Sequence, residues 1–342
     1  MATIKDVAKL AGVGVGTASR VIAGKGPVSQ DAIKRVTQAI EALQYRPSHA
    51  ARVLQKGHSR MIGVFIPVVS GSFYTPILHA IFLALHAAQC HMVVNFGLEP
   101  HDERKEALAG AEFLTDRGCD GLLMMGTALV PSDAEHITRM QRNFVLLNRS
   151  LPHLQEQCFN PDHRAAGALA ARTLCEAGHR HLAVIEGPKE SRDSALRMRG
   201  FYETLSEYGV DVEAMPRVHG NFTPESGRSG THTLLASNVP FTALFCANDE
   251  MAIGALSYLS QRGISVPKDI SVMGYDNIDL SAVAAPPLTT VLIPWVEIST
   301  NAVHRLLNLC YGSNLPVERQ IATQILWRDS VRRIDPTAKK AV

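Results

Sequence analysis

Apolar residues recur at helical spacing over the first 45 positions, and from residue 61 onward the pattern changes to short apolar runs alternating with amphipathic stretches. Thr3 followed by Asp6 forms a capping-box-like start, with Asp6 in place of the usual Glu or Gln; Val7, Ala8 and Ala11 then share one helical face. That predicts a first helix ending near Ala11. Gly12 can break it with a positive φ, Val13 can turn into a core, and a second short helix follows through Thr17, Ala18, Ser19, Arg20, Val21 and Ile22. After the loop AGKGP, Ser29 can cap a third helix whose Ile33, Val36, Ile40 and Leu43 form a stripe expected to close a three-helix core. Beyond Met61 the runs IGVFIPV, HMVVNF, GLLMMG and FVLLN alternate with helical stretches at 73–88 and 102–117. The pattern then restarts, with helices at 163–177, 195–208 and 249–262 around LAVIEG, ALFCAN and ISVMG. This is βαβ grammar and predicts an α/β body of two similar lobes, each a parallel sheet covered by helices. In open parallel sheets ligands bind beyond the carboxyl ends of the strands, so the loops after these strands should face one another across a cleft.

Composition adds limits. A chain of 342 residues with 46% hydrophobic and 19% charged residues is folded rather than disordered, and its length suggests about two or three compact units. No apolar stretch of signal-peptide length follows Met1 and no apolar run of about 18 residues occurs, so a cytoplasmic protein is expected, neither secreted nor membrane-spanning. Cys90, Cys119, Cys158, Cys175, Cys246 and Cys310 are dispersed without a Cys-x-x-Cys pair and read as reduced core thiols. The net charge of +2 is unevenly divided: residues 1–60 carry ten Lys or Arg against three acids, +7, leaving −5 on the remainder. A small domain this basic gains free energy beside a polyanion by releasing condensed counterions, which makes it a candidate for binding a phosphate backbone.

The string GVGVGTAS at 12–19 has the look of a dinucleotide-binding glycine loop, but such a loop must follow a strand, and here a capped helix precedes it. His179 and His181 in GHRHLAV lack a third ligand at metal-like spacing and are read as structural. With no Ser-His-Asp order, paired-carboxylate motif or Walker sequence, neither an enzyme nor a metal or cofactor is expected. The polar residues at the strand ends are the candidates for chemistry: Asn148, Asn248 and Asp276, with Arg197 on a helix facing them. Amides and carboxylates bind vicinal hydroxyls and Arg forks onto adjacent oxygens, a mixture suited to a sugar. Each also has a plainer use, since Asn248 and Asp249 can cap the next helix and Asp276 can satisfy a turn.

The segments TIKDVAKLAGVGVGTASRVIAG and YRPSHAARVL, long and in matching order and spacing, resemble the lactose/galactose repressor (LacI/GalR) family, with most similarity to its galactose-repressor branch, and the likeness runs through the whole chain. The resemblance implies an all-α helix-turn-helix head at 1–46, a hinge helix and linker at 47–60, and a two-lobed, periplasmic-binding-protein-like (type I) body at 61–342 that binds an effector and dimerises. It implies a homodimeric, sequence-specific transcription regulator, a repressor of a carbohydrate-utilisation operon that binds palindromic double-stranded operator DNA under control of a small sugar such as galactose or a galactoside. Base edges would be read from Val15, Gly16 and Arg20, the last by a bidentate contact to guanine; Thr17 and Ser19 would contact phosphates, and Thr3, Ser29 and Arg52 complete the DNA-binding set. Leu54 matches the hinge leucine that wedges a central minor-groove step when two hinge helices pair; the alternative is an ordinary linker helix packing Leu54 on its own domain.

In the body the resemblance carries Asn148, Arg197, Asn248 and Asp276 into the effector pocket, with Asp162 in NPDHRAAG, the aromatic pair Phe73 and Tyr74 over the cleft mouth, and Phe222. The chain departs from the family pattern at Gly14, where a capping Ser is usual, at Gly16 and Ala18, and at Ser70-Gly71-Ser72, where an Asn-Pro step is usual. Glycine in a helix costs about 0.8–1 kcal/mol, so a loosened second helix is expected. Two other classes share this architecture: a regulator responding to a purine or nucleoside, which Phe222 keeps open, and a sugar-binding protein without a DNA role, which leaves the +7 head unexplained. No long heptad follows Trp327, which favours a dimer over a tetramer. Leu54→Ala is expected to weaken operator binding while leaving the unfolding of the body unchanged; unaltered affinity in a fluorescence-anisotropy titration would refute the wedge.

Overall fold

The computed structural model describes residues 2–24, 26–45, 57–68, 70–98, 102–126 and 128–334. The hinge expectations, including Arg52 and Leu54, lie outside the described residues. The chain divides into two compact units, Met1–Met61 and Ile62–Val342.

Among the described residues the first unit contains three helices, α1 (Ile4–Ala11), α2 (Val15–Ala23) and α3 (Gln30–Ala42). The Thr3 hydroxyl accepts the Asp6 N–H at 3.3 Å and the Asp6 carboxylate accepts the Thr3 N–H at 2.8 Å, completing the capping box. These bonds hold the Asp6 carboxyl below its ordinary pKa. Gly12 ends α1 in the left-handed region at φ +62, a geometry that costs glycine nothing. Arg35 on α3 reaches back to the Gly12 carbonyl at 3.4 Å, tying the third helix to the turn. Ser29 caps α3 by accepting the Ala32 N–H at 3.3 Å.

The core of this unit is made of small residues: Val7, Ala8, Ala11, Ala18, Val36 and Ala39 are buried, with Ile4, Val13, Val21, Ile40, Leu43 and Tyr45 around them. The expected α3 stripe is corrected at one position, because Ile33 is 39% exposed while its neighbour Ala32 is buried. Against the alanines of α1, close approach favours an alanine face, so α3 turns Ala32, Val36 and Ala39 inward and carries Ile33 round to solvent.

In the second unit, lobe one is a five-stranded sheet in the order β2-β1-β3-β4-β5: β1 (Met61–Ile66), β2 (His91–Phe96), β3 (Gly121–Met125), β4 (Phe144–Leu147) and β5 (Cys158–Phe159). Lobe two is six-stranded, ordered β11-β10-β9-β8-β6-β7, with β6 (Leu182–Glu186), β7 (Arg217–His219), β8 (Ala243–Cys246), β9 (Ser271–Asp276), β10 (Thr289–Leu292) and β11 (Gln324–Leu326). The expectation of wholly parallel sheets is corrected at one edge, where β11 runs antiparallel to β10. The reason is connectivity: the chain leaves β10 for lobe one, forms the helix Trp295–Tyr311 against β3, β4 and the helix Tyr74–Ala87, and returns to lobe two from the opposite direction. The chain therefore crosses between the lobes three times, after β5, after β10 and before β11.

Helices flank these strands close to their expected positions. The one expected at 195–208 starts three residues earlier, at Arg192, because the Ser191 hydroxyl accepts the Ser194 N–H at 3.2 Å and caps it. Helices Pro131–Met140 and Pro224–Ala236 lacked a clear apolar period and escaped the sequence pattern. His179 is fully buried between Thr242 (2.9 Å) and the Arg332 carbonyl (3.1 Å), and burial depresses its pKa to about 4, in keeping with a structural role.

One weak point in the first unit is open to repair. Gly14 occupies the cap position of α2 with extended backbone (φ −69, ψ 150), offers no side-chain acceptor, and has nothing within 4 Å of a Cβ placed there. Gly14→Ser is expected to stabilise α2 by a few tenths of a kcal/mol, raising the thermal midpoint of helical circular dichroism in the head; a lowered midpoint would show that the cap position is not the limit.

Candidate functional site

The chain presents two surfaces with functional potential, one in each unit. On the head, helical periodicity divides α2 cleanly. Ala18 is buried and Val21 half-buried, while Gly16, Ser19, Arg20 and Val15, the last 44% exposed, share the solvent side and Thr17 sits half-buried at its edge. The Arg20 Nε donates to the Gly16 carbonyl one turn back at 3.3 Å, folding the guanidinium along its own helix. Thr3 and Ser29, expected at the same surface, are exposed but spend their hydroxyls on helix caps.

In the second unit, the carboxyl ends of β4, β8 and β9 and the starts of the helices His163–Glu176 and Arg192–Glu207 converge on one cleft. Arg197 is its centre, only 4% exposed. It reaches that position because two helices cross with almost no separation: a Cβ on Gly167 would strike the Arg197 backbone carbonyl, and one on Gly200 would strike that of Arg164. The guanidinium lies 3.5 Å from the centroid of the Tyr275 ring, donates to the Ala247 carbonyl, and sits 6.0 Å from the Phe222 ring. Its Nε is buried and meets no hydrogen-bond partner among the described residues.

Around it stands an aromatic wall. Phe73 packs edge-on against Tyr74 at 5.0 Å and against Trp295 at 5.3 Å, and Trp295 lies 6.3 Å from the His163 ring. The buried Trp295 Nε1–H faces the Asp276 carboxyl and favours its ionised form. Burial pushes the Asp276 pKa up to about 8, against the pull of Arg197, so at neutral pH most of it carries a proton. Burial likewise raises Asp193 to about 6, opposed by Arg197. It also pushes the Tyr74 hydroxyl well above its ordinary range, with the charges of Glu103, Asp193 and Asp276 adding to the effect. The result is a cleft with one cation, two weakened carboxyls, ring faces, and a buried Arg197 Nε–H that meets no acceptor among the described residues. Such a surface suits a compact, uncharged ligand bearing hydroxyls.

Of the residues expected here, Phe73, Tyr74, Asn148, Arg197, Phe222, Asn248 and Asp276 come together. Asn248 is largely engaged by the protein: its Oδ1 accepts the Met251 N–H at 3.0 Å and its Nδ2 donates to the Phe222 carbonyl at 2.9 Å. Asp162 is corrected: it is exposed and caps the helix His163–Glu176 through the Ala165 N–H at 2.9 Å, because a first-turn carboxylate is best used on free backbone donors. The next residue, His163, is the one that turns inward. His163, Asp193, Tyr275 and Trp295 were missed by sequence reasoning. Asp193 had a signal, lying one helical turn before Arg197 on the same face. Tyr275 had only its place beside Asp276. Asp249 is fully buried at the base, accepting from the Ile278 N–H (3.0 Å), the Ser281 hydroxyl (2.5 Å) and the Thr290 hydroxyl (2.6 Å), which ties the strand ends together. At the rim, Glu250 of lobe two accepts the Ser72 N–H of lobe one at 2.5 Å.

Comparison with known proteins places these surfaces in context. A family described as bacterial regulatory proteins, lacI family, matches residues 3–48, and a periplasmic binding protein-like domain matches residues 171–331. The HTH-type transcriptional repressor CytR of Escherichia coli (strain K12) is 33% identical over 337 residues, 97% of this chain and 97% of that protein. The HTH-type transcriptional regulator GalR of the same strain is 32% identical over 316 residues, 92% of this chain and 91% of that protein. Among solved structures, a LacI-family regulator from Burkholderia phymatum is 43% identical with a TM-score of 0.76, covering 80% of this chain and 99% of that one. The lac repressor dimer bound to operator and the anti-inducer ONPF is 26% identical with a TM-score of 0.82, covering 97% of this chain and 99% of that one. With an exposed α2 surface on its head, a polar cleft between two α/β lobes, and relatives matching along nearly its whole length, the chain belongs to the lacI family of bacterial transcription regulators.

Proposed function

We propose that this regulator is a cytoplasmic repressor of a carbohydrate-utilisation operon, which binds a palindromic operator as a homodimer and changes its grip when a small neutral sugar, galactose, a galactoside or a similar molecule, enters the cleft. The DNA half of this reading is carried by the solvent face of α2, which exposes Val15, Gly16, Ser19 and Arg20 on a head of charge +7. Val15 offers methyls to a thymine, Gly16 only backbone, and Arg20 the bidentate contact that discriminates guanine. Residues 47–60 are assigned as the hinge joining this head to the body. The operator-bound lac repressor dimer, so similar in fold, supports the same use of the head here.

The effector half is carried by the cleft's pairing of the unpartnered Arg197 Nε–H with the weakened carboxyls of Asp193 and Asp276. A sugar ring accepts from that N–H and brings hydroxyls to the carboxyls, while its C–H face covers the aromatic wall. A relative solved with cellobiose, 28% identical, supports a carbohydrate. For self-association, Leu280 and Val283 are 48% and 76% exposed beside each other on one short helix, an apolar surface of the kind that dimers cover.

Arg20→Ala is expected to lower affinity for an operator selected from random duplexes by about 1–3 kcal/mol while leaving binding to unrelated DNA nearly unchanged. Equal losses on both, in anisotropy titrations at fixed salt, would show that Arg20 touches only phosphates. Calorimetry against D-galactose, methyl β-D-galactoside, cellobiose, D-ribose and adenosine is expected to give heat with a sugar and none with the nucleoside. Binding of adenosine alone would overturn the carbohydrate assignment.

A further inference from the structure

The polar groups at the floor of the cleft form a directed chain whose polarity is fixed at both ends. At one end Arg197 can only donate, and it faces the Tyr275 hydroxyl. At the other end the Asp193 carboxylate accepts from the Nδ2 of Asn148. The Oδ1 of that same amide therefore faces the His163 Nε2 at 3.0 Å, which must carry the proton and donate. His163 Nδ1 is then an acceptor and takes the Tyr275 hydroxyl proton at 2.9 Å. Burial, with Arg197 nearby, keeps the imidazole neutral, as this arrangement requires.

The chain of bonds crosses the lobes. Asn148 stands at the end of β4 in lobe one, its backbone in the left-handed region at φ +61 and its N–H anchored on the Phe159 carbonyl at 2.9 Å. His163 and Asp193 both belong to lobe two. A single amide from one lobe is thus held at its oxygen and at its nitrogen by two side chains of the other. We propose that Asn148 is a lobe-positioning residue, gripped by His163 and Asp193, which sets how far the lobes close over the effector seat rather than reading the effector itself. The proposal rests on the cleft being the effector seat, but the grip is a property of the ligand-free protein and can be tested without any effector.

Trp295 is a built-in reporter, since it is 6% exposed in the cleft and the only other tryptophan is Trp327. In full-length protein carrying Trp327→Phe, acrylamide quenching reads how far the cleft opens. Asn148→Asp, tolerated by the same backbone, sets two carboxylates against each other once both are ionised, and at about pH 9 it is expected to raise the quenching constant severalfold with a red-shifted emission. Adding Asp193→Asn reverses donor and acceptor, restores the grip and is expected to return quenching to the parental value. His163→Leu should open the cleft, whereas His163→Gln, which keeps one donor and one acceptor, should leave it closed. Unchanged quenching in Asn148→Asp, or an opening that Asp193→Asn fails to reverse, overturns the proposal. Should Asn148→Asp fail to fold, equal quenching in His163→Leu and His163→Gln overturns it independently. None of these failures touches the calorimetric test of the sugar assignment.

Discussion

A guanidinium almost without access to water organises the body of this protein. Leaving such a cation unpaired costs several kcal/mol, and three groups near Arg197 offset it: the Ala247 carbonyl takes one N–H, the Tyr275 ring lies beneath it, and the Asp193 carboxylate stands within reach of its field. The two carboxyls of the cleft are themselves buried, and burial outweighs the cation in setting their protonation. What results is a cleft floor with little net charge and a high density of directed hydrogen bonds, which favours ligands that exchange hydroxyl for water over ligands that bring a charge. The backbone pays for this geometry at Gly167 and Gly200, where the absence of a side chain lets the helix bearing Arg197 approach its neighbour.

The head solves the opposite problem. Its described cations at Lys5, Lys9, Arg20 and Lys34 stay in water, and its stability comes from a small alanine-rich core with capped helix starts. α2 is the exception. It begins at a glycine without a side-chain cap and carries a second glycine at Gly16, so the element proposed to meet DNA has the least local support. Arg20 leaning on the Gly16 carbonyl gives back part of that loss, and the proposed base contact requires that this bond be released.

The outline of this molecule was legible in its sequence because it is written in periods and breaks: 3.6 in the head, short apolar runs in the body, glycine or a capping side chain at the ends. What escaped has physical reasons. Ile33 fits a helical stripe as well as Ala32 does, and only the closeness of α1 decides between them. The antiparallel β11 depends on where a distant helix packs. In the cleft, Arg197 and Asp276 were visible as charges where a parallel sheet ends, but His163 was hidden beside Asp162, since one residue at the start of a helix separates a solvent-facing cap from a side chain aimed inward. Trp295 was unreadable as a cleft residue because its helix belongs to lobe one although its chain has just left lobe two.

The three crossings between the lobes have a mechanical consequence. A body joined by one strand can swing in any direction, and one joined by two can still slide; with three tethers in different places, relative translation stretches at least one of them. What remains is rotation about an axis through the crossings, so the lobes behave as a clamshell with a single soft coordinate. A molecule that presses on the cleft from any side is translated into the same motion, and little conformational entropy is spent in choosing it.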